Sequence, residues 1–168
     1  VLVLSAVNFT DKIGTLTIKD ADDLIYMRRH PSGDYLLDAD LDLGGDAITT
    51  MDTFAGTFDG QDHTISHFTV KKGHFIGTNS GTIKNLTLSD FETTSALLKK
   101  NSGELNHLSV KNGAMTSAQK DQLKYDALLL GQNNSKGKLV SCSITDSTYT
   151  FSCGEIDLGT AGGMIAKN

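Results

Sequence analysis

The sequence predicts an all-β chain, a right-handed parallel β-helix closed at its N-terminal end by a short capping helix. Three observations carry that reading. An apolar beat at positions i, i+3 and i+5 recurs as Ile65-Phe68-Val70, Ile83-Leu86-Leu88, Leu105-Leu108-Val110 and Leu139-Cys142-Ile144. Asn-Ser-Gly precedes two of these copies, at Asn79-Ser80-Gly81 and Asn101-Ser102-Gly103, and Asn134-Ser135-Lys136-Gly137 precedes a third with one residue inserted. The copies begin 18, 22 and 34 residues apart, and 18 or 22 Thr- and Gly-rich residues are too few for a pair of helices.

The beat is neither strict alternation nor a helical stripe. It fits one inward residue, a bend, then two inward residues at period two on the next strand. Asn and Gly suit the bends because both tolerate positive φ. One such unit cannot bury its apolar residues alone, but stacked units bury a continuous column. Coils repeating at about 4.8 Å would make a core roughly 20–25 Å long. The expected columns are Ile65-Ile83-Leu105-Leu139 and Phe68-Leu86-Leu108-Cys142.

Taken in order, residues 1–33 form the cap region and 34–168 the coils of a single domain. Val1–Val7 and Gly14–Ile18 read as strands. Asp20 is an N-cap, and Asp22 and Asp23 place acids in the first turn of a helix carrying Leu24, with Ile25 or Met27, toward the first coil. His30-Pro31-Ser32-Gly33 stops it. Tyr35, Leu37, Ala39, Leu41 and Leu43 alternate with Leu36, Asp38, Asp40 and Asp42 as a half-buried strand. Phe54–Gly60 supplies a second strand and a sharp turn toward Ile65. Phe54, Phe68 and Phe75 fall in inward slots. Residues 116–127, with Gln119-Lys120-Asp121-Gln122, read as an excursion holding one helical turn, and 145–160, with Tyr149, Phe151 and Cys153, as a departure that forms an extra strand; both are the expected contact loops.

Composition sets bounds. Among 168 residues, 17 Gly against one Pro fit many tight turns, and the net charge of −5 comes without the Lys/Arg cluster that would track a phosphate backbone, so nucleic acid is not an expected partner. Lys71-Lys72 and Lys99-Lys100 are simple pairs. No apolar run reaches the eighteen residues or so needed to span a membrane. Val1–Leu4 is too short for a signal-peptide core. The chain opens without Met and closes on Gly163–Asn168, which reads as the start of a further copy, so a fragment of a longer protein is expected.

Four patterns are candidate sites. His63 and His67 stand four apart, the spacing of a helical zinc pair, but Ile65 and Phe68 set the segment as strand and bend, and no Glu follows His63. Asp38, Asp40, Asp42 and Asp46 imitate a calcium loop, yet Leu43 and Thr49 occupy the positions that need Gly and a bidentate acid. Outward-facing acids explain them better. Cys142 takes an inward slot, and Cys153 is close enough in sequence for a disulfide if residues 139–153 fold back; an isolated core thiol is the other reading. Polysaccharide cleavage would need paired acids among aromatic platforms, and Trp is absent. No catalytic residue, metal ligand or cofactor is expected, and the binding residues are undefined.

Four strings occur in order: Ala21-Asp22-Asp23-Leu24, Gly33–Leu43, Phe54–Ile65 and Phe75–Leu86. Together they resemble the GLUG-type repeat region of streptococcal immunoglobulin-A-specific zinc metallopeptidases and of other bacterial surface proteins, closely over about residues 20–110 and more loosely beyond. The resemblance implies a secreted, wall-attached parent of which this is a non-catalytic segment, a spacer or a contact domain for host immunoglobulin or glycoprotein beside the parent's own catalytic domain. Because other surface proteins carry the repeat, an adhesin-type module unrelated to proteolysis is the alternative, and the β-helix architecture by itself leaves, further off, a carbohydrate-active enzyme. The His-Glu-x-x-His string of the metallopeptidase centre is absent here, so no catalytic role carries over.

Overall fold

In the computed structural model, which describes residues 14–117, 127–151 and 164–167, the chain enters through β1 (Leu16–Ile18) and turns into α1 (Ala21–Arg29). The Asp20 carboxylate accepts the Asp23 N–H at 3.0 Å and satisfies a first-turn donor. Asp22 and Asp23 at one end, and Arg28 and Arg29 at the other, complement the helix dipole. His30 N–H closes the helix by reaching Tyr26 O and Met27 O, each at 3.1 Å. Leu24 and Met27 are buried, whereas Ile25 is 40% exposed, so Met27 is the second residue the helix turns inward. The helix lies against β1 and the first strand of the second sheet. The expected strand Val1–Val7 lies outside the described residues.

From Asp34 the chain winds. It lays down β2 (Asp34–Leu37), β3 (Leu41–Asp42) and β4 (Met51–Phe54), then β5 (Thr57–Asp59), β6 (Thr64–Val70) and β7 (Ile76–Asn79). Next come β8 (Thr82–Thr93) and β9 (Leu98–Asn101), then β10 (Glu104–Ser117) and β11 (Leu130–Asn133). The last described strands are β12 (Lys138–Val140), β13 (Ser143–Thr145), β14 (Thr148–Phe151) and β15 (Ile165–Lys167). One sheet stacks β1, β2, β5, β8, β10 and β12 with β3, β6, β13 and β14 beside them; the other stacks β4, β7, β9, β11 and β15. Every pairing among these strands is parallel. Each coil therefore visits both sheets and moves up one strand, which is the parallel β-solenoid the repeat predicted.

Two columns of left-handed residues bend the first sheet. Asn85, His107 and Ser141 form one, with φ of 50°, 51° and 51°; His67, Asp90, Asn112 and Asp146 form the other, with φ of 51°, 51°, 50° and 50°. A single residue at positive φ redirects a strand without ending its pairing, and Asn, Asp and His are the non-glycine residues most often found there. The inward positions then fall two before, one after and three after the bend. That is the i, i+3, i+5 beat, and β8 and β10 each produce it twice.

This double bend corrects the predicted columns. Ile83, Leu105 and Leu139 do stack, as do Leu86 and Leu108. Ile65 and Phe68 do not join them: Ile65 pairs with Leu41 and Leu88, Phe68 with Phe91, and the partner of Ile83 on the preceding coil is Phe58. The beat starting at Ile65 belongs to the second bend, and the beat starting at Ile83 to the first. The coil of β5 and β6 makes its first corner with residues 60–63, lying opposite Asn85 and Leu86 alone, with Gln61 and Asp62 at φ 49° and 64°. The predicted unbroken strand through Tyr35–Leu43 is likewise divided: it breaks at residues 38–40, where Ala39 is exposed.

Inside, Tyr35, Phe58, Ile83 and Leu105 line one wall, and Ile65, Leu88 and Val110 the next. Phe54, Phe68 and Phe75 are buried as expected. Phe68 stacks on Phe91 with ring centroids 5.0 Å apart and planes 10° from parallel. Gly113 follows in that column, and a Cβ there would run into the Phe91 ring. The Asn of each Asn-Ser-Gly points inward instead of out. Asn79 Nδ2 donates to Asn101 Oδ1 at 2.9 Å, and Asn101 Nδ2 to Asn133 Oδ1 at 3.0 Å, in a column that starts on Phe54. Asn79 Oδ1 accepts the Gly81 N–H at 3.2 Å and Asn101 Oδ1 the Gly103 N–H at 3.3 Å, so each Asn also closes its own corner. The third ladder residue is Asn133 and not Asn134, because the extra residues sit within the corner ahead of Gly137.

Candidate functional site

The His and Asp residues picked out by sequence lie on the outside of this stack. His63 ends the first corner and His67 sits on the second bend, so the strand holds them apart instead of presenting both to one ion. Each meets an acid of the preceding coil: His63 Nδ1 is 3.2 Å from Asp40 Oδ1, and His67 Nδ1 is 3.0 Å from Asp42 Oδ1. The Asp40 carboxyl lies below its ordinary range because it accepts the Thr64 N–H at 2.8 Å and is bonded to His63. Asp42 is lowered by the Gly44 N–H at 2.8 Å, with His67 adding to it. Asp38, Asp40, Asp42 and Asp46 are all exposed, as outward-facing acids should be. Among the described residues, no three His, Cys, Asp or Glu side chains gather as a metal site.

Cys142 follows Leu86 and Leu108 in the inward column just past the first bend but is only half-buried, and it carries a free thiol. Burial pushes that thiol up from its ordinary value. Cys153 lies outside the described residues. Of the two expected contact loops, residues 118–126 and 152–163 also lie outside them. The described part of the second is no departure from the repeat: β14 pairs in parallel with β10, Tyr149 opposite Met115 and Phe151 opposite Ser117. Residues 116 and 117 likewise end β10 instead of opening an excursion.

Among the hollows on the surface of the described residues, three bear on the candidate sites. One of about 300 Å³ lies between α1 and the first coil, lined by Leu24, Ile25, Leu43 and Ile48 with Asp22 and Arg28 at its polar side. Arg28 Nε is buried there without a hydrogen-bond partner among the described residues. A second, of about 440 Å³, runs beside the second bend past His67, Asp90 and Glu92. The third, of about 450 Å³, follows the corner of the glycines along the solenoid axis. There Gly33, Gly56, Gly81 and Gly103 stack so tightly that a Cβ on each of the last three would strike the backbone of the coil beneath. Stripped of side chains, that corner is a trough with Ser32, Ala55 and Ser80 on one side and Asp34, Thr57, Thr82 and Glu104 on the other. Sequence reasoning read these glycines only as turns. Their recurrence just before Asp34, Thr57, Thr82 and Glu104 was the signal that they share one edge.

The fold and its surface define a β-solenoid repeat protein with polar side walls. Comparison with protein-family models, curated proteins and solved structures finds no match for this chain. Among the described residues no helix is long and apolar enough to cross a membrane.

Proposed function

We propose that this chain is a non-catalytic, rod-forming module of a secreted, wall-attached bacterial protein, and that it acts as a spacer holding a neighbouring domain at a fixed distance. The observation that carries this reading is the continuous parallel pairing from Asp34 to Phe151. It ties the coils into one body whose length grows by about 4.8 Å per coil. The likeness of residues 20–110 to the repeat region of immunoglobulin-A-specific zinc metallopeptidases supports placing the module in such a parent. In this reading the chain supplies separation, and any proteolysis belongs to another domain of the parent.

A second reading is favoured by the axial trough at the glycine corner: an adhesin-type module that contacts an extended host chain along its side. Both readings are tested with the purified chain. Incubated with immunoglobulin A it should leave the heavy chain intact, and elemental analysis should find no stoichiometric zinc. Cleavage, or one zinc per chain, would overturn the non-catalytic assignment. Surface plasmon resonance against immunoglobulin A and host glycans separates spacer from adhesin. Binding that is lost on Thr82→Arg, a substitution pointing into the trough, favours the adhesin; no binding to any of them leaves the spacer.

A further inference from the structure

We propose that Asn112 is a modification site, a deamidation site that the stacked coils hold shut and that reacts when the following coil lifts away. Asn112-Gly113 is the one Asn-Gly pair in the sequence, the pairing in which the amide nitrogen is least hindered in reaching the side-chain carbonyl. The fold gives each residue a place. Asn112 is exposed and holds the second bend at φ 50°, and Gly113 is the residue that leaves room for the Phe91 ring.

In the reaction the Gly113 N–H gives its proton to a solvent base and the nitrogen bonds to Asn112 Cγ. The Cγ–Nδ2 bond then breaks, and Nδ2 takes a proton from water and leaves as ammonia. A second water opens the resulting cyclic imide at one carbonyl or the other and yields Asp or isoAsp. Water is the only co-reactant, and nothing is oxidised or reduced.

The geometry holds the two reacting groups apart. Asn112 Nδ2 donates to Asp90 Oδ1 at 3.1 Å, on the preceding coil. The Gly113 N–H donates to Ser147 Oγ at 3.1 Å, on the following coil. Electrophile and nucleophile are thus tied to opposite neighbours along the solenoid axis. Ser147 is itself fixed, since its hydroxyl donates to Thr145 O at 2.9 Å. Attack requires the Gly113 bond to break and the Asn112 side chain to swing away from Asp90, so the reaction depends on opening between β10 and the coil of β13 and β14.

Once made, the product opposes closure. An Asp at 112 would stand between Asp90 and Asp146 in the bend column, placing like charges on adjacent coils. An isoAsp would add a backbone carbon at the bend and push Gly113 off the Phe91 ring. The site therefore keeps a permanent record of coil opening.

The test follows the Asn112 peptide of the full chain by mass spectrometry during incubation at neutral pH. The native chain is compared with the urea-unfolded chain and with Asp90→Ala and Ser147→Ala. The native chain should react most slowly and the unfolded chain fastest. Each Ala variant should accelerate the reaction by about fivefold, the weight of one net hydrogen bond, while Asp90→Asn and Ser147→Thr, which keep an acceptor oxygen, should restore the slow rate. Equal rates in native and unfolded chains would overturn the proposal, as would Ala variants that stay folded by circular dichroism and react at the native rate. Should an Ala variant unfold, the wild-type chain decides alone. In sub-denaturing urea the rate should rise in step with hydrogen exchange at the Gly113 amide, and a rate that ignores that exchange removes the guard.

Discussion

Single atoms decide the glycine corner and the asparagine column. A methyl on Gly103 would meet the Gly81 carbonyl oxygen, which is backbone and cannot step aside, whereas a methyl on Gly14 would meet nothing within 4 Å. Gly103→Ala should therefore cost about 1–3 kcal/mol or more, and Gly14→Ala should stay within about 0.5 kcal/mol; urea titration of both variants checks the contrast. Asn101 is fully buried and bonded to Asn79, Asn133 and its own corner. Asn101→Ala should cost about 1–3 kcal/mol for each buried group it leaves without a partner, and a loss below about 0.5 kcal/mol would show that the column contributes nothing. Leu108→Ala removes a mid-stack side chain that is 1% exposed and should cost about 2–5 kcal/mol by the same titration. At this scale the sequence was only half legible. The burial of Leu108 followed from the beat, but the inward direction of Asn79 and Asn101 did not. An Asn beside Ser-Gly reads as a turn residue, and only the register that stacks one amide on the next gives it an interior role.

The elements were more legible than their registration. Asp20, the acidic first turn and Pro31 marked α1 to within a residue of its observed ends, because capping is local chemistry. The strands around Ile83 and Leu105 followed from the repeated beat. Which beat stacks on which could not be read, since bends at Asn85 and at Asp90 leave the same apolar spacing and a single chain gives no label to tell them apart. The corner at residues 60–63 shifted the count further. Helix α1 carries a prediction of its own. It lies against β1 and β4 at the end of the stack, and a parallel edge without cover is a template for other chains. Deleting residues 1–30 should lower the melting temperature and bring concentration-dependent aggregation, measured by light scattering. A deletion variant that stays monomeric with an unchanged melting temperature would remove the capping role.

Over the whole molecule, acids stitch one coil to the next. Asp40 accepts the Thr64 N–H, Asp90 accepts Asn112 Nδ2, and Asp59 accepts Asn85 Nδ2 at 3.1 Å while pairing with Lys84 at 3.0 Å. Partial burial pushes the Asp59 carboxyl up, yet the Gln61 N–H, Lys84 and Asn85 together hold it below its ordinary value. Asp90 is held low by Ser89 and Asn112, and Asp40 by Thr64 and His63. A carboxyl with a folded-state pKa below its unfolded one binds its proton more readily in the unfolded chain. The stability it contributes is present above the unfolded value, about 3.9 for Asp, and is lost as the pH falls through the folded value. Because each of these acids reaches a neighbouring coil, protonation loosens the stack along its length and not at one end alone. The melting temperature should therefore change little on this account above about pH 5 and fall below about pH 4, modestly, because these carboxyls are largely exposed. Asp59→Asn, which cannot titrate and loses its attraction for Lys84, should be less stable at neutral pH and show a shallower acid decline. Thermal melts across the acid range in wild type and variant supply the measurement, and parallel declines in the two would show that Asp59 plays no part in the acid response.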